Sequence, residues 1–262
     1  MIKFVKGHAY GNDFLYVLRR ETDGLRLETF AQEICSRHTG VGADGLIVYE
    51  PTAGGASMLL FNADGSRAEV SGNGVRVLGA LLLRDDPHPR AELVVETEGG
   101  VKRLTRTFRD GTRHTFRAAM GQPSDVRRVS VAVGAESVDL VTLNIGNPQA
   151  IILGPLPGDD RFQRLGAALE RHQSFPEGTN VEFVQVEAPD RVRIRIWERG
   201  VGPTTSSGTG SCASLVAAAA YGGALRDAEV IAPGGSQRVE WLEDSVYLTG
   251  WAEIICDGKW LR

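Results

Sequence analysis

Two stretches of this chain, EVSGNGVRVLG at 69–79 and TTSSGTGSCAS at 204–214, have the same form: a serine, Gly-x-Gly, then small and apolar residues able to open a helix. They belong to a longer series of matches. Gly11-Asn12 matches Gly146-Asn147 at an offset of 135, while Gly42 matches Gly178, Asn62 matches Glu198 and Ser71 matches Ser207, each at 136. Matches that stay collinear at about half the chain length are the signature of an internal duplication. The chain is therefore expected to form two similar lobes about a pseudo-twofold axis. The boundary is expected near AAMGQPSDV, where Gly, Pro and Ser gather. That places an N-terminal lobe at 1–120, joined by a final strand at about 251–262, and its duplicate at 121–250.

Within each half, short runs rich in β-branched and aromatic residues alternate with helical patterns. FLYVL, GLIVYE, SMLLFN and ELVVETEGG in the first half read as strands, as do VDLVTLNI, QAIIL, VEFVQVE and RVRIRIW in the second. RLETFAQEICSRH and DRFQRLGAALERH carry apolar residues at helical spacing in equivalent places, whereas Gly74–Arg84 and Gly210–Tyr221 are apolar nearly all round. Helices of the latter kind are expected to be enclosed. The fold class expected is α+β, two pseudo-symmetric domains, each a curved mixed or antiparallel sheet wrapped around a central helix.

Composition narrows the function. At 262 residues the chain is long enough for a substantial core. A net charge of −4 supplies no basic stripe, which argues against nucleic acid or an anionic membrane as the main partner. The three cysteines, Cys35, Cys212 and Cys256, lack CxxC spacing, so neither a disulfide framework nor a zinc site is expected, and a reducing cytoplasm fits better. The start MIKFVKGHAYGNDF has no apolar h-region. No metal, nicotinamide or pyridoxal cofactor is expected, and GTGSCAS lacks the strand, spacing and downstream acid of a dinucleotide fingerprint.

A glycine-rich turn that ends in a helix start offers unpaired backbone N–H groups and the positive end of the helix dipole, a setting that favours an anion. Gly72, Asn73 and Gly74, with Gly208, Thr209 and Gly210, would supply two such settings. The plain alternative is that the glycines only permit close helix packing. Duplication, with Asn62, Glu198 and Arg199 in the neighbouring motifs, favours a shared grip on one carboxylate, with Ser71 and Ser207 flanking the adjacent carbon. That arrangement suits proton removal by one group and return by another.

With these motifs in place, the chain resembles the diaminopimelate epimerases, cofactor-independent isomerases. The resemblance runs through GNDF at 11–14, RHTGVGADGL at 37–46, FNADGSRAEVSGNGVR at 61–76, GNP at 146–148, FPEGTNVEFV at 175–184, and WERGVG with SGTGSCA beyond it. It implies an active site in the cleft between the lobes, a homodimer, and an amino-acid-like substrate. Substrate contacts implied are Asn12, Asn62, Asn147, Asn180, Glu198 and Arg199, with the reacting carboxylate on the backbone of Gly72-Asn73 and Gly208-Thr209. For each asparagine the plain alternative is a turn residue, and for Glu198-Arg199 a structural ion pair.

The departures from the family pattern bear on the chemistry. The family's two catalytic cysteines are here Ser71 and Ser207, its histidine after GNP is Gln149, its glutamate after the Glu-Arg-Gly stretch is Pro203, and a further cysteine is Val77. Cys212 matches a noncatalytic family cysteine. A thiol ionises near about pH 8.5, and a hydroxyl several units higher, an added cost on the order of 5 kcal/mol. Serine normally works beside a base, and Gln149 cannot serve. His8, His38 and His172 read as surface or structural residues. Three functions fit: an epimerase with both cysteines replaced, a divergent isomerase catalysing a 1,3-proton shift in an unsaturated acid with Glu198 as base, and a binder without catalysis.

Overall fold

The computed structural model describes residues 1–261. It is a mixed α+β protein that divides into two compact units: unit 1 is Met1–Ala118 together with the chain from Gly250 onward, and unit 2 is Ala119–Thr249. The strand Val246–Trp260 begins in unit 2 and ends in unit 1.

In unit 1, Asn12–Leu18 runs antiparallel to Ile2–Ala9 and parallel to Gly45–Thr52. Gly45–Thr52 then pairs antiparallel with Gly55–Asn62, which lies parallel to Glu92–Thr97. Two antiparallel steps lead through Gly100–Asp110 to Arg113–Gly121. Arg113–Gly121 and Ile2–Ala9 both pair with Val246–Trp260, so the series closes on itself. Unit 2 repeats the order of pairings and their senses: Glu136–Asn144, Pro148–Leu153, Asn180–Ala188, Arg191–Glu198, Asp227–Ala232, Gly235–Trp241 and the start of Val246–Trp260. Ser124–Val133 borders Glu136–Asn144 as the end of the last strand borders Ile2–Ala9. The duplication read from the sequence is therefore a duplication of sheet topology.

Among the described residues, four α-helices complete the units: α1 (Leu27–Cys35), α2 (Gly72–Leu82), α3 (Asp159–Glu170) and α4 (Gly208–Ala217). The outer pair are amphipathic. α1 buries Phe30, Ala31, Ile34 and Cys35, and α3 buries Phe162, Leu165, Gly166 and Leu169, each at the 3–4 residue spacing that makes one stripe. The inner pair are enclosed. Nine of the eleven residues of α2 are buried, and α4 is covered along its length except at Thr209. Instead of continuing as α-helix to Tyr221, α4 ends at Ala217 and passes into a π-type turn at Ala218–Gly222, closed by Gly223 in the left-handed region at φ 83°. ELVVETEGG likewise divides, with Glu92–Thr97 ending before a turn and Gly100 opening the next strand.

Strand alternation sends successive side chains to opposite faces. Val181 and Phe183 join Phe162, Leu165 and Leu169 in the core beneath α3, while Val184 joins Cys212, Leu215 and Val216 around α4. In unit 1, Leu46 and Val48 likewise face α1. Burying one such apolar side chain stabilises the fold by about 1.5–3 kcal/mol, so the two faces fix the register. No helix among the described residues is long and apolar enough to cross a membrane.

Gly166 shows how tight this packing is: a Cβ there would lie 2.6 Å from Cδ2 and Cε3 of Trp197, whose indole N–H donates to Glu170 at 2.7 Å. Gly166→Ala is expected to destabilise unit 2 by about 1–3 kcal/mol through overpacking. Urea unfolding followed by tryptophan fluorescence measures this; an unchanged midpoint would contradict the packing described.

Candidate active site

Both serine motifs begin a helix in the same way. Ser71 (φ −128°, ψ 121°) and Ser207 (φ −138°, ψ 128°) are the N-cap residues of α2 and α4, in extended backbone. Their Oγ atoms accept from the N–H groups of Gly74 and Gly210, each at 3.1 Å. Such a cap stabilises a helix by about 0.5–2 kcal/mol. The glycines also permit close approach, since a Cβ on Gly74 would lie 2.7 Å from Ile47 Cδ1, and the N–H groups at the first positions of each helix have no partner within the helix itself.

In unit 1 a polar chain surrounds this start. Asn73 Nδ2 donates to Asn12 Oδ1 at 3.1 Å, and its Oδ1 accepts from Arg76 at 2.5 Å. Asn12 Nδ2 continues to Asp44 at 2.8 Å. Arg37 bridges Asp44 and Asp13, at 2.7 and 2.8 Å, and Lys6 reaches Asp13 at 3.0 Å. Burial pushes the Asp13 carboxyl up, but the hydrogen bonds from Arg37 and Lys6 outweigh it and hold the group below the ordinary carboxylate range. Asn12 and Asn73 thus meet at the Ser71 helix start, whereas Asn62 bonds Ser66 Oγ at 2.9 Å in a turn opposite Gly45.

In unit 2, Asn147 Nδ2 reaches Thr209 Oγ1 at 3.4 Å, the counterpart of the Asn12–Asn73 contact. Asn180 is committed to the backbone, donating to Pro148 O at 3.2 Å and accepting from the Arg199 N–H at 3.0 Å. The exposed Arg199 guanidinium bonds Glu177 O at 2.9 Å. Position 180 thus holds the strand and the Glu198-Arg199 turn together. Gln149 is buried; its amide lies 2.6 Å from Asn147 Oδ1 and 3.0 Å from both oxygens of Glu182.

Glu182 is the residue that the sequence reading missed. It is 0% exposed, the strand alternation turns it toward α4, and a Cβ on Gly210 would stand 2.5 Å from its Oε1 and 3.1 Å from Ser207 Oγ. The carboxyl and the hydroxyl therefore both border Gly210 at the start of α4. Burial, with the nearby charge of Glu198, pushes the Glu182 carboxyl well above the ordinary range. The orientation of Gln149 follows that proton. A protonated Glu182 donates to Gln149 Oε1 while Nε2 donates to Asn147 Oδ1; an ionised Glu182 accepts from Nε2 after a flip that turns Oε1 toward Asn180 Nδ2 at 3.2 Å.

A carboxyl whose folded pKa lies above its unfolded value, about 4.3 for Glu, binds its proton more tightly in the folded state. Its contribution to stability is full below about pH 4.3 and is lost as pH rises through the folded value. Glu182→Gln is therefore expected to flatten the decline in stability above about pH 4.3. Denaturant titrations at several pH values check this; parallel curves for both proteins would contradict it.

The family model described as diaminopimelate epimerase matches residues 4–126 and 141–255. The diaminopimelate epimerase of Desulforudis audaxviator is 38% identical over 282 aligned residues, covering 100% of each chain. That of Halothermothrix orenii is 33% identical, covering 98% of this chain and 97% of its own. Among solved structures, a probable proline racemase from Agrobacterium radiobacter has a TM-score of 0.75 at 17% identity, covering 100% of this chain and 93% of that one, a likeness of fold. The family-model match over most of the chain, with 33–38% identity to these relatives over nearly the whole of both chains, shows that this chain belongs to the diaminopimelate epimerase family of isomerases.

Proposed function

We propose that this protein is a cofactor-independent isomerase that moves a proton at the carbon next to the carboxylate of an amino-acid-like substrate, with diaminopimelate, named for its relatives, as the first compound to test. The observation that carries this reading is the matched geometry of the two helix starts. Each offers backbone N–H groups beside a serine hydroxyl, and each has an asparagine, Asn12 or Asn147, held against the residue at the second helical position.

In this reading Gly72-Asn73 and Gly208-Thr209 hold the carboxylate, and that charge attraction stabilises the anion as negative charge develops on the adjacent carbon. Ser71 and Ser207 present oxygen to that carbon. Asn12, Asn62, Asn147, Asn180, Glu198 and Arg199 form the surrounding polar shell, and Gln149 orients Asn147. The assembly is a homodimer in the cytoplasm.

A hydroxyl needs help to take a carbon-bound proton, since its alkoxide lies several pH units beyond a thiolate. The native chain is expected to exchange the α-proton of LL-diaminopimelate with D₂O slowly, and Ser71→Cys with Ser207→Cys is expected to accelerate exchange by about 100-fold or more. Proton NMR follows the loss of signal. Exchange only in the double variant would identify a site that binds but does not turn over, and no exchange with no binding in either protein would refute the proposal.

A further inference from the structure

The two units offer an internal comparison, because the same fold carries different residues behind each serine. The strand registers set Phe14 opposite Gly45 and Gln149 opposite Asn180, so these are equivalent places. By the same registers Ile47, opposite Leu60, corresponds to Glu182, opposite Ile196. The helix starts agree. A Cβ on Gly74 would meet Ile47 Cδ1 at 2.7 Å and Ser71 Oγ at 3.6 Å, where the same atom on Gly210 meets Glu182 Oε1 at 2.5 Å and Ser207 Oγ at 3.1 Å. Behind Ser71 stand Ile47 and Phe14; behind Ser207 stand Glu182 and Gln149.

The fold accepts isoleucine at this position, so nothing in the architecture requires an acid there. A fully buried carboxyl is costly unless it is partnered or kept neutral, and Glu182 has both a bonded amide in Gln149 and a second carboxyl, Glu198, in its field. We infer that Glu182 is the proton partner of Ser207, and that the two serines are therefore unequal, only the one on α4 having a base behind it. This rests on the isomerase reading above and names the residue that activates one half of that site.

The step balances within the groups present. As the substrate C–H bond breaks, Ser207 Oγ takes the proton and its own O–H proton passes to ionised Glu182, forming a neutral acid and leaving the electron pair on the substrate carbon. Reversal returns the proton. When the carboxyl is ionised, Gln149 turns its Nε2 toward Glu182 at 3.0 Å and its Oε1 accepts from Asn180 Nδ2 at 3.2 Å. Glu182 acts through Ser207 and is a positioning and relay residue. The groups facing it are Gln149 on Pro148–Leu153, Asn180 on its own strand, Glu198 on Arg191–Glu198, and Ser207 with Gly210 at the start of α4.

The test uses introduced thiols, which report on proton coupling without a substrate. Ser71→Cys and Ser207→Cys are made singly in the full chain, each with and without Glu182→Gln, and the thiolate is titrated by its ultraviolet absorbance and its rate of alkylation. The thiol at position 207 is expected to titrate about one pH unit above that at position 71, and Glu182→Gln is expected to lower the former by at least about half a unit and leave the latter in place. A thiol at 207 that titrates identically with and without Glu182→Gln overturns the inference. In D₂O, Glu182→Gln is expected to slow α-proton exchange by about 100-fold and to remove its acidic limb, with ligand affinity retained. Exchange within about twofold of the native rate, or an unchanged pH profile, also overturns it. Native protein that exchanges no amino acid, with thiols that remain coupled, would defeat the isomerase reading and leave the Ser207–Glu182 pairing supported. Should Glu182→Gln not fold, Ser207→Ala in a chain carrying ¹³C-carboxyl glutamate reads the same coupling: a shifted midpoint of the buried carboxyl supports it, and an unmoved one refutes it.

Discussion

A helix enclosed by a sheet cannot hand its first N–H groups freely to water, yet those groups must be satisfied. In α2 and α4 the requirement is met first by a serine, which takes one N–H from three residues on. What remains is a short stretch of backbone donors at the positive end of a buried dipole. The sheet isolates this feature, and the glycines let strands and side chains approach it. In the function proposed above, cap and reaction centre are the same residue, so stability and function would be tied at Ser71 and Ser207.

That double use has a chemical cost. An oxygen already accepting a backbone N–H is held in one geometry, which helps it face a fixed carbon but does little to strip its proton. In unit 2 the polar pair Gln149 and Glu182 lies at the required depth, whereas in unit 1 the matching positions are apolar. Duplication supplied two equal scaffolds, and a few inward-facing residues made them chemically different.

The order of elements and the enclosed helices were legible in the sequence because periodicity reports burial directly: FNADGSRAEVSGNGVR and WERGVG with SGTGSCA carry the turns, and the apolar runs carry the strands. The long strands Gly100–Asp110, Ser124–Val133 and Val246–Trp260 were less plain, since charged residues interrupt them and pairing, rather than composition, holds them extended. Glu182 escaped for a sharper reason. Aligning Gly42 with Gly178 at 136 matches it to Leu46, which faces α1, but the loop after Gly178 is one residue shorter than that after Gly42, and the strand register matches it to Ile47, behind α2. A slip of one position reverses the face of every side chain. The available signal was a lone acid in NVEFVQV at an inward step of the alternation.

Everything proposed for this site requires that both helix starts serve one ligand. An amide NMR titration of the native protein with diaminopimelate, following Gly72, Asn73, Gly208 and Thr209 together, decides whether they do. All four N–H resonances are expected to move downfield along a single binding curve with one Kd. Movement confined to one pair, or two curves with separate affinities, would contradict it.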